Sequence, residues 1–311
     1  MGIRALVGWL PDDAGRDAVA LAARFSASGS TTTQACTVLP QSWPSPSMAK
    51  IDAEYRRWLS ERGVAAVESA RTELAKLGIP TGDPDAFYVS NTAESAGLDE
   101  AAKQHGADIV VLGSKHAPHR HFGPGSTTDS LLHSATVPLA LAPTGTREST
   151  SPIARINCAY VGTAQSEDAL TTAAALAADW SLPLRLVAFA PRASTSYPPF
   201  GGYDAEDVVS AHWMEQARKL LSDAETSLSD THPEVPVSTA LGVGNGWEQA
   251  VKAVELADDD LLVVGSSRLG PIARVFLGSS ASKIIRHTQV PLLVVPRGSS
   301  IHPHGPTSED Q

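Results

Sequence analysis

Short apolar runs alternate with longer stretches of helical period along the whole chain, the signature of βαβ units feeding a parallel sheet. In the first half the pattern predicts strands near 3–9, 34–39, 86–90, 108–113 and 138–142, with helices near 15–28, 52–77, 93–105 and 126–135. In the second it predicts strands near 155–161, 184–190, 236–241, 260–265 and 291–295, with helices near 166–179, 206–229, 247–257 and 279–287. Within the longest helices Tyr55, Trp58, Leu59, Arg62 and Ala66, and again Val209, Trp213, Ala217 and Leu220, recur at intervals of three and four. That spacing assigns the aromatics to a core or an interface rather than to a cofactor.

The two halves are one pattern written twice. With an offset of about 150 residues, ADIVVLGSK (107–115) answers DDLLVVGSS (259–267), VPLALAP (137–143) answers VPLLVVP (290–296), and DAVALAA (17–23) answers DALTTAAALA (168–177). Two α/β domains follow, 1–143 and 153–298. Between them TGTRESTSP (144–152) has no periodicity that would bury a face and reads as a linker. The tail from 299 to 311 has the same character and reads as disordered. The apolar, proline-bounded strands at 138–142 and 291–295 read as edges that pair with each other, which places a pseudo-twofold axis between the halves.

Composition narrows the function. Acidic residues outnumber basic ones by 34 to 24 and no basic stripe compensates, which argues against nucleic acid and anionic membrane as partners. A phosphate ligand stays available, because backbone amides bind anions whatever the net charge. Cys36 and Cys158 both fall in strand-like runs and read as small buried apolar residues, with no disulfide framework or CxxC site. No apolar run reaches membrane-spanning length and MGIRALVGWL lacks a secretory signal, so the expected location is the cytoplasm.

Candidate chemistry gathers after the fourth strand of each half. That strand ends at Gly113 or at Val264-Gly265, and the loop beyond it closes on Gly125 or Gly278, directly before Ser126 and Thr127 or Ser279 and Ser280. A helix starting there presents unpaired N–H groups and the positive end of its dipole, with hydroxyls as further donors, an arrangement suited to phosphate. One glycine is expected to turn the chain off the strand and the other to let backbone approach a ligand. By itself a Gly-Ser turn is equally an ordinary helix cap.

The spacing G-x2-R-x9-G-S-S at Gly265, Arg268, Gly278, Ser279 and Ser280 resembles the G-x2-G-x9-G-[S/T] nucleotide loop of the universal stress protein family. The resemblance extends over roughly 1–143 and 153–296, including the closing RHTQVPLLVVP. It implies a tandem member of the family: two five-stranded parallel sheets of strand order 3-2-1-4-5 with helices on both faces. It also implies a ligand at the switch between strands one and four. That ligand would be ATP or another adenine nucleotide, with Mg²⁺. The loop holding Gly162 and Thr163 would grip the adenosine end, and the glycine loop the phosphates and ribose.

This chain departs from the family's pattern at several points. Where nucleotide-binding members carry an Asp at the end of strand one, it has Leu10 and Val161, neither of which accepts a hydrogen bond. Losing such an acceptor commonly costs about 1–3 kcal/mol. The middle glycine of the loop is Arg268 in the second half, which reads equally as a clamp on a phosphate and as a solvated side chain at a loop tip, and His116 in the first. The first-half loop is one residue shorter and carries two prolines, so the second half is the expected binder. His116, His119 and His121 match no standard metal motif, and read first as a solvated loop, second as a phosphate contact from His116 and last as metal ligands. In GVGNGWEQA (242–250) Asn245 reads as a helix N-cap.

There is no nucleophile elbow, HExxH or Walker A lysine, and no acid is identifiable to position Mg²⁺ for even slow ATP hydrolysis. Two readings stay open: a nucleotide-binding stress or regulatory protein, homodimerising further, or an interaction module that works through a regulatory protein partner alone.

Overall fold

The computed structural model describes residues 2–41, 49–115, 121–192, 203–268, 275–276, 279–299 and 301. The first half runs β1 (Ile3–Gly8), α1 (Asp13–Ser28), β2 (Thr31–Pro40), α2 (Ala49–Lys76), β3 (Thr81–Asn91), α3 (Glu94–Gln104), β4 (Ile109–Gly113), α4 (Ser126–Ser134) and β5 (Leu139–Ala142). After a 3-10 turn at Thr146–Glu148 the second half repeats it: β6 (Arg155–Ala159), α5 (Ala164–Trp180), β7 (Leu184–Arg192), α6 (Tyr203–Thr231), β8 (Val237–Asn245), α7 (Trp247–Lys252), β9 (Asp260–Arg268), β10 (Val275–Phe276), α8 (Ser279–His287) and β11 (Leu292–Pro296).

The strands form one continuous sheet in the order β3-β2-β1-β4-β5-β11-β9-β6-β7-β8, with β10 hanging off β9. Read inward from its outer strand to the centre, each half has the parallel order 3-2-1-4-5. The only antiparallel joint on that path lies between β5 and β11, the pair of edges expected from the sequence. Strands buried on both faces need apolar side chains on both, and they have them. Val7, Val111, Ala140, Cys158, Val263 and Leu293 look toward α1 and α5, while Leu6, Leu112, Leu141, Leu262, Val264 and Val294 look toward α3, α4, α7 and α8.

The joint between the halves is asymmetric where the pseudo-twofold axis passes. In the matching segments VPLALAP and VPLLVVP, Ala140 and Leu293 are equivalent positions, and they face each other across the joint. Gly29 and Trp180 are equivalent as well, each twelve residues beyond the matched Asp17 and Asp168. A side chain at Gly29 would put its Cβ 2.1 Å from Trp180 Cδ1. The Trp180 indole is only 6% exposed and tilts against Phe25 at 5.4 Å between ring centres. At both on-axis positions the first half is small and the second large, so knob meets hole. Gly29 sits in extended backbone at φ −165°, which any residue adopts, so packing alone makes it glycine.

Polar stitches complete the joint. Buried Arg24 donates across it to the carbonyls of Ser151 at 2.8 Å and Asp258 at 3.1 Å. The turn after the last strand is itself repeated. Gly145, at φ 91°, donates its N–H to Asp17 at 3.1 Å, and Gly298, at φ 73°, donates to Asp168 at 2.8 Å. Asp17 also takes the Arg147 N–H and guanidinium, at 2.9 and 3.0 Å. The connecting segment is thus pinned to α1 and buries Thr146, and Ile301 beyond the second turn is buried too.

Local differences from the sequence reading have local causes. Helix α7 ends at Lys252, short of the expected 257. Its N-cap is Gly246, at φ 88°, rather than Asn245, whose N–H instead donates to Gln249 Oε1 at 3.0 Å. Strand β9 continues through Ser266–Arg268 and pairs back with β10, so part of the expected loop is hairpin. Of the residues assigned to a core or an interface, Leu59, Ala66 and Ala217 are buried, while Tyr55, Trp58 and Trp213 are exposed, which leaves the interface alternative for the aromatics. Tyr55 and Trp58 stack on each other at 5.9 Å, with Arg62 over the indole at 5.2 Å.

The knob and hole make a direct prediction. Trp180→Gly leaves a cavity costing about 3–5 kcal/mol, and Gly29→Trp forces two indoles into one site, exceeding the roughly 1–3 kcal/mol of ordinary overpacking. The exchanged pair Gly29→Trp/Trp180→Gly recovers much of both losses in urea denaturation. Purely additive losses would refute the complementarity.

Candidate functional site

The switch in strand order falls between β1 and β4 in the first half and between β6 and β9 in the second, each pair in parallel register. At each switch the loop into the first helix of its half forms one wall, and the end of the fourth strand lies against that helix start. The first wall is a helix start. Asp12 caps α1 by accepting the Gly15 N–H at 2.9 Å. Thr163 caps α5 in a reciprocal box with Ser166, whose side chain takes the Thr163 N–H at 2.9 Å.

Gly113 and Gly265 have a structural reason that differs from the expected one. A Cβ on Gly113 would lie 1.8 Å from the Ala14 carbonyl oxygen, and one on Gly265 would lie 2.1 Å from that of Gln165. Ala14 and Gln165 are the second residues of α1 and α5, so each glycine lets the first turn of the helix sit directly on the fourth strand. Gly125 is different: among the described residues only Lys115 comes within reach of a Cβ there, at 3.8 Å. Val264 is buried in the core, which leaves only its backbone for a ligand.

Beyond this shared scaffold the two crevices diverge. In the first half, Lys115 Nζ stands 3.8 Å from Asp12 Oδ2, bridging the two walls. The Lys115 N–H donates to the Gly123 carbonyl at 3.2 Å and the Gly123 N–H to Ser114 Oγ at 2.8 Å, so the loop closes on itself. At the start of α4, Ser126 is exposed but the Thr127 hydroxyl donates to the carboxylate of Glu94, the first residue of α3. One of the expected phosphate donors already holds an anion of the protein's own. His116 lies outside the described residues, as does His119.

In the second half the residue in Glu94's place is Trp247, the first of α7. It tilts on Phe189 at 6.4 Å, and Lys283 of α8 stands over its ring at 5.5 Å. Ser280, in the place of Thr127, is exposed. Where the first half puts Lys115 and Asp12 across the crevice, the second has Ser267 and the capping Thr163, which carry no charge. Arg268 closes β9 and Ser279 opens α8, with their side chains outside the described part, and Gly278 lies outside it altogether. The electrostatic contrast is plain: an acid faces the helix start in one half and a lysine-bearing aromatic faces it in the other.

At the other end of the second crevice Val161 is 54% exposed. Gly162 adopts φ 69°, and a Cβ there would come 3.0 Å from Leu220 of α6. Just inside, the Tyr160 hydroxyl donates to Glu167 at 2.5 Å, and burial with that hydrogen bond holds its ionisation above the usual phenol value. Leu10, its counterpart in the first half being half-buried, is equally apolar. Burial pushes the Cys36 thiol up to about 12 and raises that of Cys158 as well, so neither is a thiolate near neutral pH. Among the described residues no group of His, Cys, Asp or Glu is placed to hold a metal, and no helix is long and apolar enough to cross a membrane.

Glu94, Lys115, Trp247 and Lys283 were not singled out by motif. Aligning the first residues of α3 and α7 would have exposed the acid-to-tryptophan exchange.

These features define a class first: a tandem doubly wound α/β protein with a crevice at the switch point of each half. The universal stress protein family model matches residues 4–143 and again 152–296. The chain is 36% identical over 294 residues to universal stress protein Rv2319c of Mycobacterium tuberculosis, covering 94% of this chain and 99% of that protein. The same figures hold for universal stress protein Mb2346c of Mycobacterium bovis. A crystal structure of a universal stress protein from Archaeoglobus fulgidus shares the fold with a TM-score of 0.65 at 16% identity, covering 95% of this chain and 98% of that one. The chain belongs to the universal stress protein family and carries its domain twice, and this membership supports a role in the stress response.

The glycines separate scaffold from site. Gly113→Ala and Gly265→Ala each cost at least the upper end of the roughly 1–3 kcal/mol of overpacking, whereas Gly125→Ala stays within about 0.5 kcal/mol of neutral. Equal losses at all three positions in urea denaturation would contradict the assignment.

Proposed function

We propose that the protein is a cytoplasmic stress-response factor that binds an adenine nucleotide in the crevice of its second half, with the first-half crevice closed by its own side chains. The observation that carries this reading is the exchange of Glu94 for Trp247 at matching positions. A carboxylate on Thr127 repels a phosphate from the start of α4, while exposed Ser280 and nearby Lys283 favour one at the start of α8. Ser280 and the α8 amides take the phosphates, with Mg²⁺ supplied alongside them. Val161, Gly162 and Thr163 border the base and ribose. Because Val161 offers contact area and no acceptor, the base is held by packing, and affinity falls toward millimolar.

A second reading draws on the exposed Tyr55–Trp58 stack together with apolar Leu10 and Val161: an interaction module that acts through protein contacts and has no nucleotide. Calorimetric titration of stripped protein with ATP and Mg²⁺ separates the two. The nucleotide reading expects one site per chain, lost in Gly278→Leu and kept in Gly125→Leu. No heat up to millimolar ATP would remove it in favour of the module.

A further inference from the structure

At the end of the strands opposite the crevices, the second half buries a polar pair that the first half lacks. Asn157 on β6 and Arg185 on β7 are register partners, as Leu6 and Gln34 are in the first half. An apolar position has therefore become an amide and a neutral one a cation. Asn157 is 0% exposed, and Arg185 Nε donates to its Oδ1 at 2.7 Å, which fixes the amide with Nδ2 as the remaining group. Nδ2 has no hydrogen-bond partner, and neither has Arg185 Nη2.

The nearest carboxylate is already committed. Asp260 receives Arg155 Nε at 2.9 Å and Nη2 at 2.7 Å, and its Oδ2 also takes the Ala257 N–H at 2.9 Å. Arg185 Nη2 reaches that oxygen only at 3.7 Å. Two guanidinium groups thus share one buried carboxylate, and Asp259 acts on Arg155 as well. Glu255 is within electrostatic range of Arg185, but it is exposed. Burial, the largest influence, and the Arg155 charge both lower the Arg185 ionisation despite Asp260 and Glu255. Buried donors in native proteins find acceptors.

We propose that Asn157 Nδ2 and Arg185 Nη2 hold a small monovalent anion of the chloride type, a site separate from the crevices and independent of whether nucleotide binds. Two buried N–H donors, one of them on a guanidinium, match a single negative charge without a proton to place. Both donor atoms are buried, while the Arg185 side chain as a whole is 12% exposed.

The test uses the full chain and chloride itself. Replacing gluconate by chloride at constant ionic strength should raise the melting temperature saturably, by roughly 2–5 °C. The variant Asn157→Leu/Arg185→Gln, which installs the first half's residues, should be insensitive to the exchange. The same response in both proteins, or none in the wild type, overturns the site. Crystals soaked in bromide give an independent readout. An anomalous peak between Asn157 and Arg185 supports the proposal, and an ordered water without anomalous signal there refutes it.

Discussion

The antiparallel pairing of β5 with β11 is the constraint on which the molecule is built. It turns two five-stranded sheets into one, removes the edge that each half would otherwise expose, and brings α1 and α5 together over the axis. A true twofold would put each on-axis residue against its own copy. Here the copies have diverged into Ala140 against Leu293 and Gly29 against Trp180, so each half is shaped for the other rather than for itself.

Once the halves are committed to each other, only one needs to keep any given site. The scaffold glycines remain in both, because Gly113 and Gly265 let the first helix rest on the fourth strand whether or not a ligand comes. The chemistry around them has separated. The first crevice satisfies its own donors with Glu94 and bridges its walls with Lys115 and Asp12, while the second carries Trp247, Lys283 and an exposed Ser280. Divergence reaches the far end of the strands as well, where Leu6 and Gln34 give way to Asn157 and Arg185.

Much of the fold was legible in the sequence because duplication displays it twice. Matching apolar runs located the strands, and VPLALAP and VPLLVVP marked the edges that meet. Periodicity could not tell a core position from an interface one in the long helices, and Trp58 and Trp213 are exposed while Leu59 and Ala217 are buried. Nor could spacing tell a glycine packed under a helix from one left open: Gly113 and Gly125 look alike in the loop and differ only in what a Cβ would meet. The contact of Glu94 with Thr127 joins residues far apart in the chain, and only the packing of α3 beside α4 brings them together. The short α7 and the β9–β10 hairpin depend on tertiary pairing that local propensity does not encode.

The central claim is that the two crevices, set at the same switch in strand order, differ in whether they accept a phosphate. Hydrogen exchange at single-residue resolution, with and without ATP and Mg²⁺, measures both helix starts in one molecule. The account predicts new protection confined to the first amides of α8, with those of α4 unchanged. Equal protection at both helix starts, or protection at α4 alone, would contradict it.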